Sequence, residues 1–358
     1  MDFLGGVRMA DDIEGLKDFD AYEARIMVIG CGGGGCNTIT RLTDMGIKGA
    51  STVAINTDAR HLSVSRAHRK LLIGEDLTRG LGAGGYPDIG RKAAEESKED
   101  IRDVLSGCDL LFISCGLGGG TGTGSIPVIS KIAKEMGAIV IAPVTVPFRM
   151  EGSRIRKAEE GLMRLRESAD TAIIIENQRL VEIAGNKPIK EAFGIADELI
   201  ATMIKGVTEL ISQPSLVNLD YADVRAIMHS GGVATIGVGS SNTNNRAREA
   251  TDKALRNPLL NVDYEGATGA LIQIIGGEDM TLEEINSVGT VISEKMSPEA
   301  TVMWGARIVP GFGNNMQVIT IITGVNSPYI LCNRREEEKI VARKVYNQFA
   351  EMGIKVLA

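Results

Sequence analysis

Three glycine-rich runs hold most of the residues that could grip a charged substrate. Gly30-Cys-Gly-Gly-Gly-Gly-Cys-Asn37 directly follows an apolar run. Gly80-Leu-Gly-Ala-Gly-Gly85 comes second, and Gly116-Leu-Gly-Gly-Gly-Thr-Gly-Thr-Gly-Ser125 follows another apolar run and opens a helical stretch. Glycine lets bare backbone amides approach a ligand closely. At a helix start, unpaired N–H groups and a partial positive charge together bind phosphate. Thr121 and Thr123 can add hydroxyl donors. Taken alone, Gly30-x-Gly32-x-x-Gly35 fits the dinucleotide fingerprint, with Asp58 placed after a strand where a ribose-binding acid would stand. An NAD-dependent dehydrogenase is therefore one reading. A single nicotinamide site has no need of the two further loops, and three phosphate cradles on one sheet edge suit a triphosphate better. The chain has no GxxxxGK segment followed by Ser or Thr, which excludes a P-loop.

The other chemically capable group is acidic. Asn218-Leu-Asp220-Tyr-Ala-Asp223 places two carboxylates three residues apart at a helix start. Paired carboxylates can hold and polarise an attacking water, which a glycine cradle cannot do. The same spacing also makes Asp220 a good N-cap and lets Asp223 favour the helix dipole. Spacing alone leaves both readings open.

These groups must be carried by elements. From about residue 25 to 177, continuous apolar runs (RIMVIG, STVAIN, LLFISC, AIVIAPV, TAIII) alternate with charged helical stretches at 89–105 and 154–167. Continuous rather than alternating runs mark strands covered on both faces of a parallel sheet. The fold class expected is α/β: a doubly wound, mostly parallel sheet that binds ligand at its carboxyl ends. A long helical stretch at 189–212, with apolar residues three and four apart, is stopped by Pro214. Beyond it the pattern predicts a smaller α/β domain with a mixed sheet. The expected organisation is an acidic extension at 1–23, a nucleotide domain at 24–188, a linking helix at 189–213, a C-terminal α/β domain at 214–330 and a charged tail at 331–358.

The 358 residues suffice for two packed domains, and 44% hydrophobic with 24% charged residues is ordinary for a soluble globular chain. A net charge of -7 argues against nucleic-acid binding, since no basic field exists to displace counterions from phosphates. No segment reads as a signal peptide or a spanning helix, so no direct membrane insertion is expected. Five cysteines without a CxxC pair read as reduced thiols of a cytoplasmic protein, and the three scattered histidines are assigned no catalysis.

Gly118-Gly-Gly-Thr-Gly-Thr-Gly124 resembles the signature of the tubulin/FtsZ family, and residues 24–326 are similar to that family in motif order and spacing. Gly32–Asn37 resembles its first phosphate loop, Asn56-Thr-Asp58-Ala its second and residues 79–85 its third. The resemblance implies a GTP/GDP site that includes Gly33, Gly34, Gly35, Cys36, Asn37, Asp58, Gly84, Gly119, Gly120, Thr121, Gly122 and Thr123. By the same resemblance Glu151 and Arg154 meet the ribose and its neighbours, and Asn177, Phe193 and Asp197 hold guanine. The chemistry agrees: guanine offers N1–H and an exocyclic amine, two donors that one carboxylate accepts together, whereas adenine turns an acceptor toward it. Without the resemblance, Asp197 would read as a solvated helix charge and Phe193 as a core aromatic.

The acidic segment is similar to the family loop that reaches into the next subunit's nucleotide, which makes Asn218, Asp220 and Asp223 the expected catalytic residues. The resemblance thus implies a GTPase completed by its neighbour, forming a head-to-tail homopolymer with Mg²⁺ on the phosphates. Its expected role is a cytoplasmic filament at the mid-cell division site, the alternative being a filament for cell shape. Departures from the family pattern are Cys36, Arg60, Tyr86 and Glu176, and a segment one residue short after Glu151 leaves Arg156 as a rival to Arg154. A flexible linker and terminal adaptor peptide are missing from the pattern, so division-protein adaptors acting through the C-terminal region stay an open expectation.

Overall fold

The computed structural model describes residues 24–212, 216–217, 221–229, 232–256 and 263–325. Asn218, Asp220, the N-terminal extension and the charged tail lie outside the described residues. The chain opens as β1 (Ile26–Cys31), α1 (Gly32–Asp44), β2 (Ala50–Asn56), α2 (Ala59–Val64), β3 (Arg69–Leu72) and α3 (Glu75–Thr78). It continues through α4 (Pro87–Glu96), α5 (Lys98–Leu105), β4 (Leu110–Gly116), α6 (Thr121–Glu135), β5 (Ile139–Val146), α7 (Ser153–Ser168), β6 (Thr171–Glu176) and α8 (Asn177–Ala184). After the long α9 (Ile189–Ser212) come α10 (Tyr221–His229), β7 (Gly232–Ser241), α11 (Arg246–Leu255), β8 (Gly269–Gly276), α12 (Leu282–Ser293), β9 (Thr301–Ile308) and β10 (Met316–Thr323).

Strand order is β3-β2-β1-β4-β5-β6-β7-β10-β8-β9 in one sheet. The first six strands run parallel, as continuous apolar runs such as LLFISC require when both faces are covered. In the second half β10 runs antiparallel to β7 and β8 while β8 and β9 run parallel, giving the expected mixed sheet. The two halves meet edge to edge, with β6 and β7 in parallel register at Thr171↔Gly232, Ala172↔Val233 and Ile173↔Ala234.

Each face of the sheet has its own apolar layer. On one face α9 buries Ala196, Ile200, Met203, Ile204 and Val207 beside Ile39 and Leu42 of α1 and Val224 of α10. The other face is covered by α4 to α7 in the first half and by α11 and α12 in the second. The three-and-four spacing of α9 is thus the stripe that seats it on the sheet.

Two local readings change. The single helix expected at 89–105 is two, α4 and α5, broken at Ser97. The Ser97 hydroxyl accepts the Gly74 N–H at 3.0 Å, which ties the break to the loop before α3. β3 is an additional parallel edge strand; Arg69 and Lys70 are exposed and Leu71 and Leu72 half-buried, and its apolar run of three residues is too short to stand out as a strand. Among the described residues no helix is long and apolar enough to cross a membrane.

Candidate functional site

The carboxyl ends of β1, β4, β5 and β6 form one rim, where a cleft of about 700 Å³ opens against the first half of α9. The first and third glycine loops and the proposed base-binding residues come together here. Gly33, Gly34, Asn37, Gly119, Gly120, Thr121, Gly122, Glu151, Arg154, Asn177, Phe193 and Asp197 all line it. Cys31 hands directly into α1 at Gly32, whose φ of +68° is a left-handed value that glycine takes without strain. The free amides of this first turn therefore face the cleft, as do those of α6 beginning at Thr121. The Thr121 hydroxyl is 2.6 Å from that of Thr57. A β-carbon on Gly120 would fall 2.8 Å from the Ala83 β-carbon and 2.9 Å from the Tyr86 amide, so the second glycine run packs directly behind the third. Lys157 fastens that run, donating to the Gly85 carbonyl at 2.7 Å with its ammonium 5.4 Å from the Tyr86 ring centre.

At the far end of the cleft the surroundings suit a base. Phe193 is 39% exposed and meets Phe148 edge to face at 5.6 Å. Asp197 accepts a 2.8 Å hydrogen bond from the Thr38 hydroxyl. Burial pushes its carboxyl up to about 6, partly offset by that hydrogen bond and by Arg41. The side-chain oxygen of Asn177 is buried with no hydrogen-bond partner among the described residues. A buried polar atom left so calls for a ligand or ordered water, and it lines the cleft. Between base and phosphate ends, Glu151 accepts the Phe148 N–H at 2.9 Å and pairs with the Arg154 guanidinium, which also donates to the Gly118 carbonyl at 3.4 Å. Arg154 rather than the exposed Arg156 reaches the cleft wall.

Other residues expected at the nucleotide take different positions. Gly35 is where α1 crosses β4: a β-carbon there would lie 2.4 Å from the Ser114 carbonyl oxygen. Cys36 is wholly buried with its thiol toward the Gly30 and Ile55 carbonyls, and burial pushes that thiol up to about 11. Asp58 caps α2, accepting the His61 N–H at 3.0 Å, and is not among the residues that line the cleft. Gly84 sits in the exposed turn before α4, and Thr123 is buried against Gly161 of α7. Thr38, Lys190, Thr145 and Pro147 line the cleft without having been singled out in the sequence. For Thr38 a signal existed, since it lies one helical turn beyond Gly34 on the same face of α1.

Asp223 is at the opposite end of the molecule. It lies in the first turn of α10, whose Tyr221 hydroxyl donates to the Asp109 carbonyl at 2.9 Å. Asp109 precedes the amino end of β4, whereas Gly116–Gly120 follow its carboxyl end. The 7 residues of β4 alone separate these edges by about 20 Å. No group of three or more His, Cys, Asp or Glu side chains converges on a metal site among the described residues.

Known proteins resemble this chain in both halves. Residues 25–185 match the model of the tubulin/FtsZ family GTPase domain, and residues 232–326 match that of the FtsZ family C-terminal domain. The protein is 52% identical over 337 residues to cell division protein FtsZ 2 of Methanocaldococcus jannaschii, covering 93% of this chain and 88% of that one. It is 51% identical over 334 residues to cell division protein FtsZ 1 of Thermococcus kodakarensis, covering 92% and 89%. Among solved structures, an empty FtsZ dimer from M. jannaschii superposes with a TM-score of 0.82 at 51% identity, covering 88% of this chain and 93% of that one. With two family models in the expected order and half of all residues shared over nearly the full length, this chain belongs to the tubulin/FtsZ family of GTPases.

Proposed function

We infer that this protein binds GTP in the cleft, assembles head to tail, and hydrolyses GTP to GDP and phosphate where two subunits meet, as a filament of cell division. The observation that carries this reading is the separation of the two half-sites. Glycine amides and Thr121 can hold phosphate at the carboxyl rim, but the carboxylates that line it are engaged already, Asp44 with Arg66, Glu151 with Arg154 and Asp197 with Thr38. Asp223 is at the other rim, so the cleft and Asp223 of one chain cannot meet. When the front of one subunit seats on the back of another, they do. Such a heterologous contact extends into a filament when its rotation does not close.

In this arrangement Asp197 takes the two donors of the guanine edge, Asn177 satisfies its buried oxygen on the base, and Phe193 stacks on it. Glu151 and Arg154 hold the ribose side. Asp223, with Asn218 and Asp220, orients the attacking water and accepts its proton. Magnesium brought in with the phosphates would supply charge neutralisation, and the Thr121 hydroxyl is a hard oxygen of the kind that would hold it. In the cell we place the filament at mid-cell, with any adaptor contacts made through the C-terminal region.

The test separates binding from turnover. Asp223→Ala should keep GTP and GDP affinity within about twofold while phosphate release falls on the order of a hundredfold or more. Equal loss of nucleotide affinity and turnover would make Asp223 a structural residue and remove the shared-site reading. A fluorescent fusion that forms no ring at the division plane would remove the cellular role.

A further inference from the structure

We propose that Thr38 is a positioning residue for guanine recognition, its hydroxyl holding Asp197 in the orientation that can accept both donors of the base edge. The inference deepens the guanine-nucleotide reading and rests on it.

Thr38 sits in the second turn of α1, 2% exposed, and lines the cleft. Asp197 approaches from α9, 159 residues later in the chain, so nothing local fixes where its carboxylate points. Arg41 is the cation that acts on it, but that guanidinium is bonded to Glu198 at 2.7 Å. Among the described residues the Thr38 hydroxyl is the hydrogen-bond donor this carboxylate has. A largely buried carboxylate without a donor costs more than one that is satisfied, so this bond selects the rotamer.

The hydroxyl has two acceptors within reach and one proton: Asp197 Oδ1 at 2.8 Å and the Gly34 carbonyl at 3.3 Å. The charged acceptor at the shorter distance takes it. With one lone pair of Oδ1 so used, its second lone pair and Oδ2 take no hydrogen bond among the described residues, and Asp197 lines the cleft. Those are the acceptors that N1–H and the exocyclic amine of guanine need together. Gly34 belongs to the first phosphate loop, so the same side chain also touches the backbone expected to hold phosphate.

The experiment uses the full chain and competition binding with three nucleotides: GDP, IDP (which lacks the exocyclic amine) and ADP. Thr38→Val keeps the shape and removes the hydroxyl; Thr38→Ser keeps the hydroxyl. Thr38→Val should weaken GDP about tenfold and IDP less, so that the preference for GDP over IDP shrinks. Thr38→Ser should retain that preference. In an Asp197→Ala background, Thr38→Val should add no further loss, because the pair acts as one unit. Losses of equal factor for GDP, IDP and ADP, or additive losses in the double variant, would make Thr38 a packing residue and overturn the proposal. Should Thr38→Val fail to fold, Thr38→Ala judged against Thr38→Ser reads the same ratio. A wild-type chain that binds ADP as tightly as GDP overturns the guanine reading and this inference together. A selective wild type with an equally selective Thr38→Val overturns this inference alone.

Discussion

Asp197 ionises near 6 instead of its ordinary 3.8, because burial disfavours the charged form and the Thr38 bond and Arg41 recover only part of that cost. Linkage gives the sign of the consequence. A carboxyl whose folded value is raised stabilises the empty protein below pH 3.8, and that contribution is lost as pH rises through about 6. Guanine donors need the ionised form, so binding runs the other way. GDP affinity should be full above about pH 7 and fall roughly tenfold for each unit below 6. Isotherms between pH 5 and 8 check this, with Asp197→Asn as control. The control should lose both the slope and, on the order of a hundredfold, the preference for guanine over adenine. A slope that survives in the control would belong to another group.

Close contacts between elements decide how tightly the rim is held. α4 and α6 approach so nearly that a β-carbon on Gly124 would lie 2.0 Å from the Pro87 carbonyl oxygen and 2.5 Å from the Arg91 amide. In an exposed helix, Gly→Ala gains up to about 1 kcal/mol from propensity alone. Here the backbone must move, and overpacking costs about 1–3 kcal/mol or more. Gly124→Ala should therefore lower the denaturation midpoint, opposite in sign to the propensity effect. In the second half, the buried Arg246 guanidinium binds both Glu284 oxygens, at 2.7 and 3.0 Å, and Asp279 at 2.8 Å. That network ties α11 to the capped start of α12, where Thr281 and Glu284 cap each other. Its arginine holds the Glu284 carboxyl below the usual range. Arg246→Ala would remove the ion-pair partner of the part-buried Glu284 and the half-exposed Asp279 and should destabilise the protein by about 1–3 kcal/mol in chemical denaturation. A loss under about 1 kcal/mol would show that the network is solvated and weak.

At the scale of the whole molecule, the two half-sites stand at opposite rims, so two damaged chains should be able to complement each other. Asp223→Ala keeps an intact cleft, while Asp197→Ala keeps an intact Asp223. Each variant alone should be nearly inactive. An equal mixture that co-assembles at random should recover roughly a quarter of wild-type phosphate release, because one junction in four pairs the two intact halves. Release in the mixture should also rise more steeply than linearly with protein concentration. A mixture as inactive as its components would mean that the subunits do not complete each other's sites.

What could be read in the chain itself was whatever is coded locally. Continuous apolar runs gave away buried parallel strands, the three-and-four stripe of α9 was visible to its last residue, and Gly118–Gly124 with the loops before it pointed to phosphate. Local pattern erred where the decisive partner is distant. The break at Ser97 is bonded to Gly74, and the short β3 pairs with the edge that β2 offers it. Cys36 and Asp58 looked like ligand contacts by position, yet helix rotation turns one into the core and capping claims the other. Thr38 and Asp197 are 159 residues apart, and no sequence spacing could have paired them. Tertiary structure alone decided that pairing, and it supplied the reason that Asp223 stands across from the cleft, a separation the family resemblance had already implied. Strand direction is what separates them: in a parallel sheet every carboxyl end falls on one side, and a helix docked at the amino ends must stand across from it.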